Sequence, residues 1–443
     1  MSIKSRLILM SFLQFAVWGA YLTSMGNYLG SINLGPKIGL FYAMQGIVSI
    51  FMPALMGIIA DRWVESQKLL GLNHLAAAFF MLATGYYGYT AGENVDFTTI
   101  FTLYSLSVAF YMPTIALSNS TGYAVLKSNG MDTIKHFPHI RTFGTIGFIF
   151  SMLFVDFIGF QNGNLTFAFA KSSVGEFISF QNTYHQFYVS AVLGVLLFVY
   201  SFTLPHCKVS RSKEKKTMYD ALGLKAFSLF KDKRMAIFFI FSMFLGVSLQ
   251  ITNGYANPFI TSFKEVPEYA NSFGANHANA LISISQISET FCILLIPFFL
   301  RRFGIKQVML MSMFAWVLRF ALFGFGDPGS GVWMFILSML VYGIAFDFFN
   351  VSGSLFVDNE TDEDIRSSAQ GVFMMMTNGF GATIGMLGAQ YVVNHFVFNK
   401  TDVMEQMQGW YSSWLVFAAY SLVITIVFAI VFKYKHNPDK INI

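Results

Sequence analysis

The sequence predicts an all-α protein made of membrane-spanning helices, and three observations carry that prediction. Of its 443 residues, 55% are hydrophobic and only 12% are Asp, Glu, Lys or Arg, where a soluble domain carries about 25% charged residues. The mean hydropathy is +0.56, and the 52 Phe and 36 Gly suit helices that face lipid on one side and pack closely on the other. The apolar residues fall into twelve stretches, each close to the roughly 20 residues a helix needs to cross the hydrocarbon core. This composition excludes a disordered chain, a secreted disulfide scaffold and an ordinary cytosolic enzyme. Cys207 and Cys292 lie in different segments, so neither a disulfide framework nor a Cys-rich metal site is on offer.

The expected spans, in order, are 7–28, 38–60, 69–91, 98–120, 140–160, 185–205, 235–258, 279–300, 306–326, 332–354, 367–394 and 413–432. No small-residue cleavage site follows the first, which therefore reads as a retained helix rather than a signal peptide. The seventh carries Gly254 and Pro258, which loosen its outer end, and the ninth has Arg319 in mid-span.

Orientation follows from the basic residues. With the N-terminus inside, 23 of the 28 Lys and Arg fall on cytoplasmic segments, against only Lys37, Lys171, Lys264 and Lys400 on the opposite loops. Both termini are therefore expected in the cytoplasm. The acidic run Asp358, Glu360, Asp362, Glu363 and Asp364 lies on the same side without contradiction, because acids contribute little to this rule. The net charge of +5 marks an inner membrane face; the stretch Lys208 to Arg234, with nine basic residues and three acids, reads as a solvated linker near anionic lipid. It lacks the interleaved aromatics of a nucleic-acid module, and no nucleic-acid partner is expected.

That linker, 206–234, separates a bundle of six spans (1–205) from a second six (235–443). The two halves share a plan. The loop after span 2 reads Gly57-Ile-Ile-Ala-Asp61-Arg62-Trp63, and the one after span 8 reads Leu300-Arg301-Arg302-Phe303-Gly304-Ile-Lys306. Span 5 opens Ile140-Arg141 and holds Phe148; span 11 opens Ile365-Arg366 and holds Phe373, a constant offset of 225. The duplicated halves and the Gly57, Asp61, Arg62 loop motif resemble the major facilitator superfamily, which implies two pseudo-symmetric six-helix bundles with a substrate held between them. Asp61 also reads simply as a helix cap in a positive-inside turn.

Ionisable groups in hydrocarbon are costly, about 2.5–3.5 kcal/mol each on insertion scales, so each needs a reason. Span 8 carries Ser283, Gln286, Glu289 and Thr290 on one stripe, and span 7 carries Gln250, Asn253 and Asn257 on one face. Span 10 carries Asp347, Asn350 and Ser354 beside Phe346; span 5 carries Arg141 and Thr145 beside Phe148. Asp156 is expected near water at the outer end of span 5. Arg319 calls for a partner carboxylate, and Asp347 is open to two readings: a functional carboxylate, or a structural lock with Arg319 or Arg366. Single polar residues in such helices often only tie helices together, at about 0.6 kcal/mol per contact. Glu289, near mid-span and beside a carboxamide, reads as a marker of an ion or substrate path.

The predicted polar groups are mostly amides and hydroxyls. A dianion would demand paired Arg or Lys residues, so the cavity suits a neutral polar metabolite, and aromatic faces allow it a planar ring.

At spans 7 and 8 the chain resembles the NupG-type bacterial nucleoside permeases. The resemblance rests on Ser242-Met-Phe-Leu-Gly-Val-Ser-Leu-Gln250-Ile-Thr-Asn253, Ile284-Ser-Gln286-Ile-Ser-Glu289-Thr and Ala345-Phe346-Asp347-Phe-Phe-Asn350. It extends to Ser11-Phe-Leu-Gln14-Phe and Ile140-Arg141-Thr-Phe-Gly144-Thr145-Ile-Gly147-Phe148, running from span 1 to span 12. It implies a nucleoside:proton symporter in which Gln250, Asn253, Gln286 and Glu289 hydrogen-bond the nucleoside. Arg141, Thr145, Phe148, Phe346 and Asp347 would complete the site or its proton coupling, with Glu289 and Asp347 as the coupling carboxylates. One departure is an external loop, 161–184, that looks longer than the family's.

The expected mechanism is alternating access, importing one nucleoside with a proton across the inner membrane, each chain acting as a monomer in the bilayer. A proton-coupled sugar permease of the same fold is the nearest rival, because ribose and free sugars make similar hydroxyl demands. A membrane-embedded transferase would need a catalytic His or carboxylate pair, and His136 and His139 have no partner motif. No cofactor, metal cluster or phosphate-binding loop for ATP-driven transport is expected.

Overall fold

The structure, a computed structural model, describes residues 2–168, 177–207, 224–362 and 365–435, with backbone alone at 61, 62, 134, 224–226 and 367. Part of the basic linker, the acids Glu363 and Asp364, and part of the external loop with Lys171 lie outside the described residues. The helices are α1 (Ile3–Gly19), α2 (Met25–Ser31), α3 (Ile38–Arg62), α4 (Ser66–Ala91), α5 (Phe97–Ser128), α6 (Thr133–Phe157) and α7 (His185–Ser201). They continue as α8 (Lys233–Ser262), α9 (Ala278–Phe325), α10 (Val332–Glu360), α11 (Arg366–Met374), α12 (Ala382–Val393) and α13 (Val403–Val431).

Among the described residues, nine helical stretches are long and apolar enough to cross a membrane, and α7 is a shorter apolar helix. Phe79, Phe291, Leu294 and Ile430 each stand more than half exposed, the surface of a protein solvated by lipid rather than water. Acidic or hydroxyl residues start several helices by accepting their orphaned N–H groups. Asp96 caps α5 through Thr99 N at 2.8 Å, Asp232 caps α8 through Met235 N at 2.8 Å, and Asp402 caps α13 through Glu405 N at 3.0 Å.

Several elements depart from the sequence reading. The first expected span is two helices, α1 and α2, with a turn between them in which the Tyr42 hydroxyl donates to the Leu22 carbonyl and satisfies an acceptor the helix gives up. Spans 8 and 9 follow each other in α9 with a break at Gly304, whose φ of 78° and ψ of 167° a side chain would resist. The segment from Gly57 to Arg62 forms the last turns of α3 rather than a loop. The run after α11 opens into π-helix at Met375–Gly381 before α12 resumes.

The all-α expectation also needs correcting. After α6 the chain forms a small antiparallel sheet in the order β2-β1-β3, with β1 Ile158–Gln161, β2 Asn164–Phe167 and β3 Phe177–Ser179. Asn162 (φ 51°) and Gly163 (φ 77°) make the hairpin turn, a dipeptide well suited to two positive φ angles. The sheet changes the reading of Asp156, which is fully buried rather than near water. Its carboxylate accepts from the Gln181 side chain, and its carbonyl from Ser179 Oγ at 2.7 Å.

The chain divides into two compact units, Met1–Ala221 and Leu222–Ile443. In the first, α1 packs on α6, α3 on α5, and α4 against α5 and α7. In the second, α9 packs on α10 and α13, while α8 packs on the π-helical turn and α12. Both units bring their first long helix close to the fifth through glycines. A Cβ on Gly147 would run into the backbone of Phe12; one on Gly246 would run into that of Thr377. Backbones that approach this closely gain van der Waals contact where lipid offers no hydrophobic drive.

Candidate functional site

The second unit gathers most of the expected site residues. On α8, Gln250 is 7% exposed and accepts a long contact from Asn253 Nδ2 at 3.4 Å. On α9, Gln286 and Glu289 are half-buried and lie one helical turn apart. Asp347 on α10 is buried at 6% exposure, and Phe346 beside it is half-buried.

Tyr342 joins these groups. It lies one turn before Phe346 and stacks on it, with ring centroids 5.8 Å apart and planes within 8°. Gln286 is within hydrogen-bonding reach of its hydroxyl, and Glu289, Asp347 and Arg319 all act on it electrostatically. Carboxamide, carboxylates and two stacked rings therefore converge from α9 and α10. The polar stripe found Gln286, Glu289, Phe346 and Asp347, but Tyr342 was missed. Its spacing of i−4 from Phe346 and i−5 from Asp347 was the available signal.

Arg319 does not pair with a carboxylate, contrary to expectation. Among the described residues its Nη1 donates to the Ser338 carbonyl at 2.6 Å and to Ser285 Oγ at 3.4 Å. Its guanidinium lies 4.7 Å from the Tyr342 ring centroid and 5.3 Å from that of Phe323. A planar, weakly hydrated cation suits such ring faces. Arg366 instead pairs with Asp358 at 3.2 Å, so neither arginine locks Asp347 in the way considered above.

In the first unit, Arg141, Thr145 and Phe148 occupy successive turns of α6. The Arg141 guanidinium lies over the Phe15 ring at 3.8 Å. Phe148 is buried and meets Trp18 edge-on at 6.2 Å, and Trp18 in turn meets Tyr111 at 6.0 Å. Thr145 is half-buried on the same helix. The side chains of Asp61 and Arg62 lie outside the described residues; Gly57 has no neighbour within 4 Å of where a Cβ would stand.

A second polar cluster in this unit was not anticipated. Gln14 Nε2 donates to Thr114 Oγ1 at 2.7 Å, Gln14 Oε1 faces His74 Nε2 at 2.8 Å, and Tyr111 donates to the Gln14 carbonyl at 2.8 Å. His74 was legible by the same rule as Glu289, an ionisable side chain inside an expected span.

A sequence profile of the nucleoside H+ symporters matches residues 1–437. The chain belongs to the nucleoside H+ symporter family. Family relatives confirm the breadth of the match. The nucleoside permease NupG of Escherichia coli K12 is 43% identical over 98% of this chain and 97% of its own length. The xanthosine permease of the same organism is 43% identical over 100% and 99%. A crystal structure of the nucleoside transporter NupG superimposes with a TM-score of 0.84 at 43% identity, covering 98% of this chain and 100% of that one. The same fold extends to a D-xylose–proton symporter, with a TM-score of 0.66 at 14% identity over the full length of both chains. This symporter chain is thus a multi-pass membrane transporter and not an enzyme.

Proposed function

We propose that this chain imports nucleosides across the inner membrane together with a proton, by alternating access, as a monomer. The observation that carries the proposal is the family match over essentially the whole chain, to relatives whose names specify nucleosides. The convergence of Gln286, Glu289, Tyr342, Phe346 and Asp347 in the second unit supports it, because rings and neutral hydrogen-bonding groups are what an uncharged nucleoside needs.

In this reading Gln250, Asn253, Gln286 and Glu289 hydrogen-bond the nucleoside. Arg141, Thr145, Phe148, Phe346 and Asp347 complete the recognition surface, and Gly57, Asp61 and Arg62 belong to a conformational motif. Glu289 carries the proton, with Asp347 as the second candidate. Twelve crossings result if α1 with α2, α7, each arm of α9 about Gly304, and the α11–α12 run each count as one. An even number agrees with both termini lying in the cytoplasm, as the Lys and Arg distribution requires. The domain limits are 1–205 and 235–443, joined by the basic linker 206–234.

A proton's charge couples neutral substrate to the membrane potential. At about 2.3 kcal/mol per charge per 100 mV, a potential of roughly 150 mV supplies about 3.5 kcal/mol. That corresponds to roughly 300-fold accumulation at about 1.4 kcal/mol per tenfold. The test is uptake of labelled uridine and adenosine into vesicles with and without a protonophore. Accumulation that collapses with the protonophore and is competed by nucleosides supports the proposal. Competition by free sugars instead would replace it with the sugar-permease reading.

A further inference from the structure

The first arm of α9 carries a feature that nucleoside transport does not use. Ile287, Phe291, Leu294 and Phe298 are 47%, 64%, 74% and 56% exposed. They repeat at steps of four, three and four, which puts them on one face of the helix. From Ile287 to Phe298 this face runs about 16 Å at 1.5 Å per residue, the depth of a single leaflet in a core of about 30 Å. It ends at an open groove lined by Leu294, Pro297, Phe298, Arg301 and Arg302, with both arginines exposed.

The arginines sit one turn beyond the apolar stripe, immediately before the break at Gly304. Other basic groups at this end of the second unit are engaged: Lys306 Nζ donates to the Ala429 carbonyl at 2.9 Å, Arg234 pairs with Glu360 at 2.9 Å, and Arg366 pairs with Asp358 at 3.2 Å. Arg302 has no carboxylate partner among the described residues; its guanidinium meets only the Phe303 ring, at 5.7 Å.

We infer that this face is a binding site for one anionic phospholipid of the inner leaflet. An acyl chain would lie along Phe291, Leu294 and Phe298, and the phosphate would sit on Arg301 and Arg302. Two features select this occupant. The stripe has the length of one leaflet, and the paired guanidiniums complement a phosphate, which they can bind through several charge-assisted hydrogen bonds. A zwitterionic lipid fills the same groove but brings its own cation, which opposes the arginines.

The experiment is native mass spectrometry of the full chain, titrated with phosphatidylglycerol or phosphatidylcholine of the same acyl length. The variants are Arg301→Gln/Arg302→Gln, the charge-conserving Arg301→Lys/Arg302→Lys, Leu294→Ser/Phe298→Ser, and a control of equal charge loss, Lys4→Gln/Lys433→Gln. The expected result is that the wild type and the control hold phosphatidylglycerol at least fivefold more tightly than the Gln pair does. The Lys pair should retain most of the binding, the Ser pair should lose part of it, and phosphatidylcholine should discriminate among none of them. Equal phosphatidylglycerol binding by wild type and the Gln pair overturns the inference. So does an equal loss in the control, which would mean that net charge alone is read. Displacement of the lipid by inorganic phosphate, with the Ser pair unaffected, would make this a simple anion site and overturn it also. Retained nucleoside binding by the Gln pair shows that the variant is folded.

Discussion

His74 and Gln14 face each other across the interior of the first unit, imidazole Nε2 to carboxamide oxygen at 2.8 Å, and neither has any exposed surface. Because a carboxamide oxygen only accepts, the imidazole is the donor. The remaining Gln14 N–H groups then serve Thr114, whose hydroxyl donates onward to the Tyr111 carbonyl at 2.6 Å. One amide thus ties α1, α4 and α5 together, and its backbone carbonyl also receives Tyr111, which stands beside Trp18 on the way to Phe148.

Replacing Gln14 with Leu leaves two buried polar partners without their hydrogen bonds, at a cost of about 1–3 kcal/mol. Thermal unfolding of the purified protein should show a lower Tm. Gln14→Leu/His74→Leu should recover much of that loss, since removing both partners of a bond costs far less than orphaning one. A double variant as unstable as the sum of the singles would mean that the pair is not coupled.

Gln286→Leu should weaken nucleoside binding by about tenfold, near 1.4 kcal/mol, for the loss of a neutral hydrogen bond. Equilibrium binding of labelled uridine measures this directly. Unchanged affinity would remove Gln286 from the recognition surface.

Glu289→Gln should abolish pH-dependent accumulation while exchange of internal for external nucleoside continues, because exchange needs substrate sites but no net proton movement. Counterflow and protonophore-sensitive uptake, measured in the same vesicles, separate the two. If accumulation survives, the coupling role passes to Asp347, and Asp347→Asn becomes the decisive variant.

Gly246→Ala should destabilise the second unit by about 1–3 kcal/mol, the usual range for overpacking, because the added methyl meets the Thr377 backbone, which cannot swing away. Gly388→Ala in α12, where nothing lies within 4 Å of the new atom, should be neutral or stabilising by about 0.5–1 kcal/mol. Equal effects at the two sites in thermal unfolding would contradict the close helix contact.

Between α3 and α4, hydrogen bonds from Lys68 and then His206 hold the Glu65 carboxyl below the usual carboxylate range. The pairs measure 3.0 Å and 3.1 Å. A depressed carboxyl contributes stability above its unfolded pKa and loses it as pH falls through the lower folded value. Wild type should therefore lose more Tm than Glu65→Gln as pH falls below about 4.3, the ordinary Glu value. Parallel pH profiles for the two proteins would show that the contacts contribute nothing.

Much of the candidate site was legible because hydrocarbon penalises polar side chains so heavily that each one stands out. Gln250, Asn253, Gln286, Glu289 and Asp347 were found in this way. Tyr342 was not, because a tyrosine in an apolar run carries no such signal; only its place between Gln286 and Asp347 gives it a role. The partner of Arg319 was misjudged for a related reason. Linear sequence counts carboxylates but cannot show that a carbonyl, a hydroxyl and two ring faces already surround the guanidinium. The strands after α6 were signalled by Asn162-Gly163, a hairpin dipeptide hidden inside what reads as a long loop.

By itself the sequence determined that this is a polytopic membrane protein, which side of the membrane its basic segments favour, and which transporter family it resembles. Those properties depend on composition and local pattern, since a helix must be apolar for about 20 residues to enter lipid at all. Tertiary structure decided what composition cannot encode: that Gln14 and His74 share one bond, that Arg319 rests on Tyr342, and that Asp156 is sealed beneath a sheet. Each depends on residues far apart in the chain being brought within about 3–5 Å, and at that range hydrogen-bond geometry and ring contact determine what a buried polar group does.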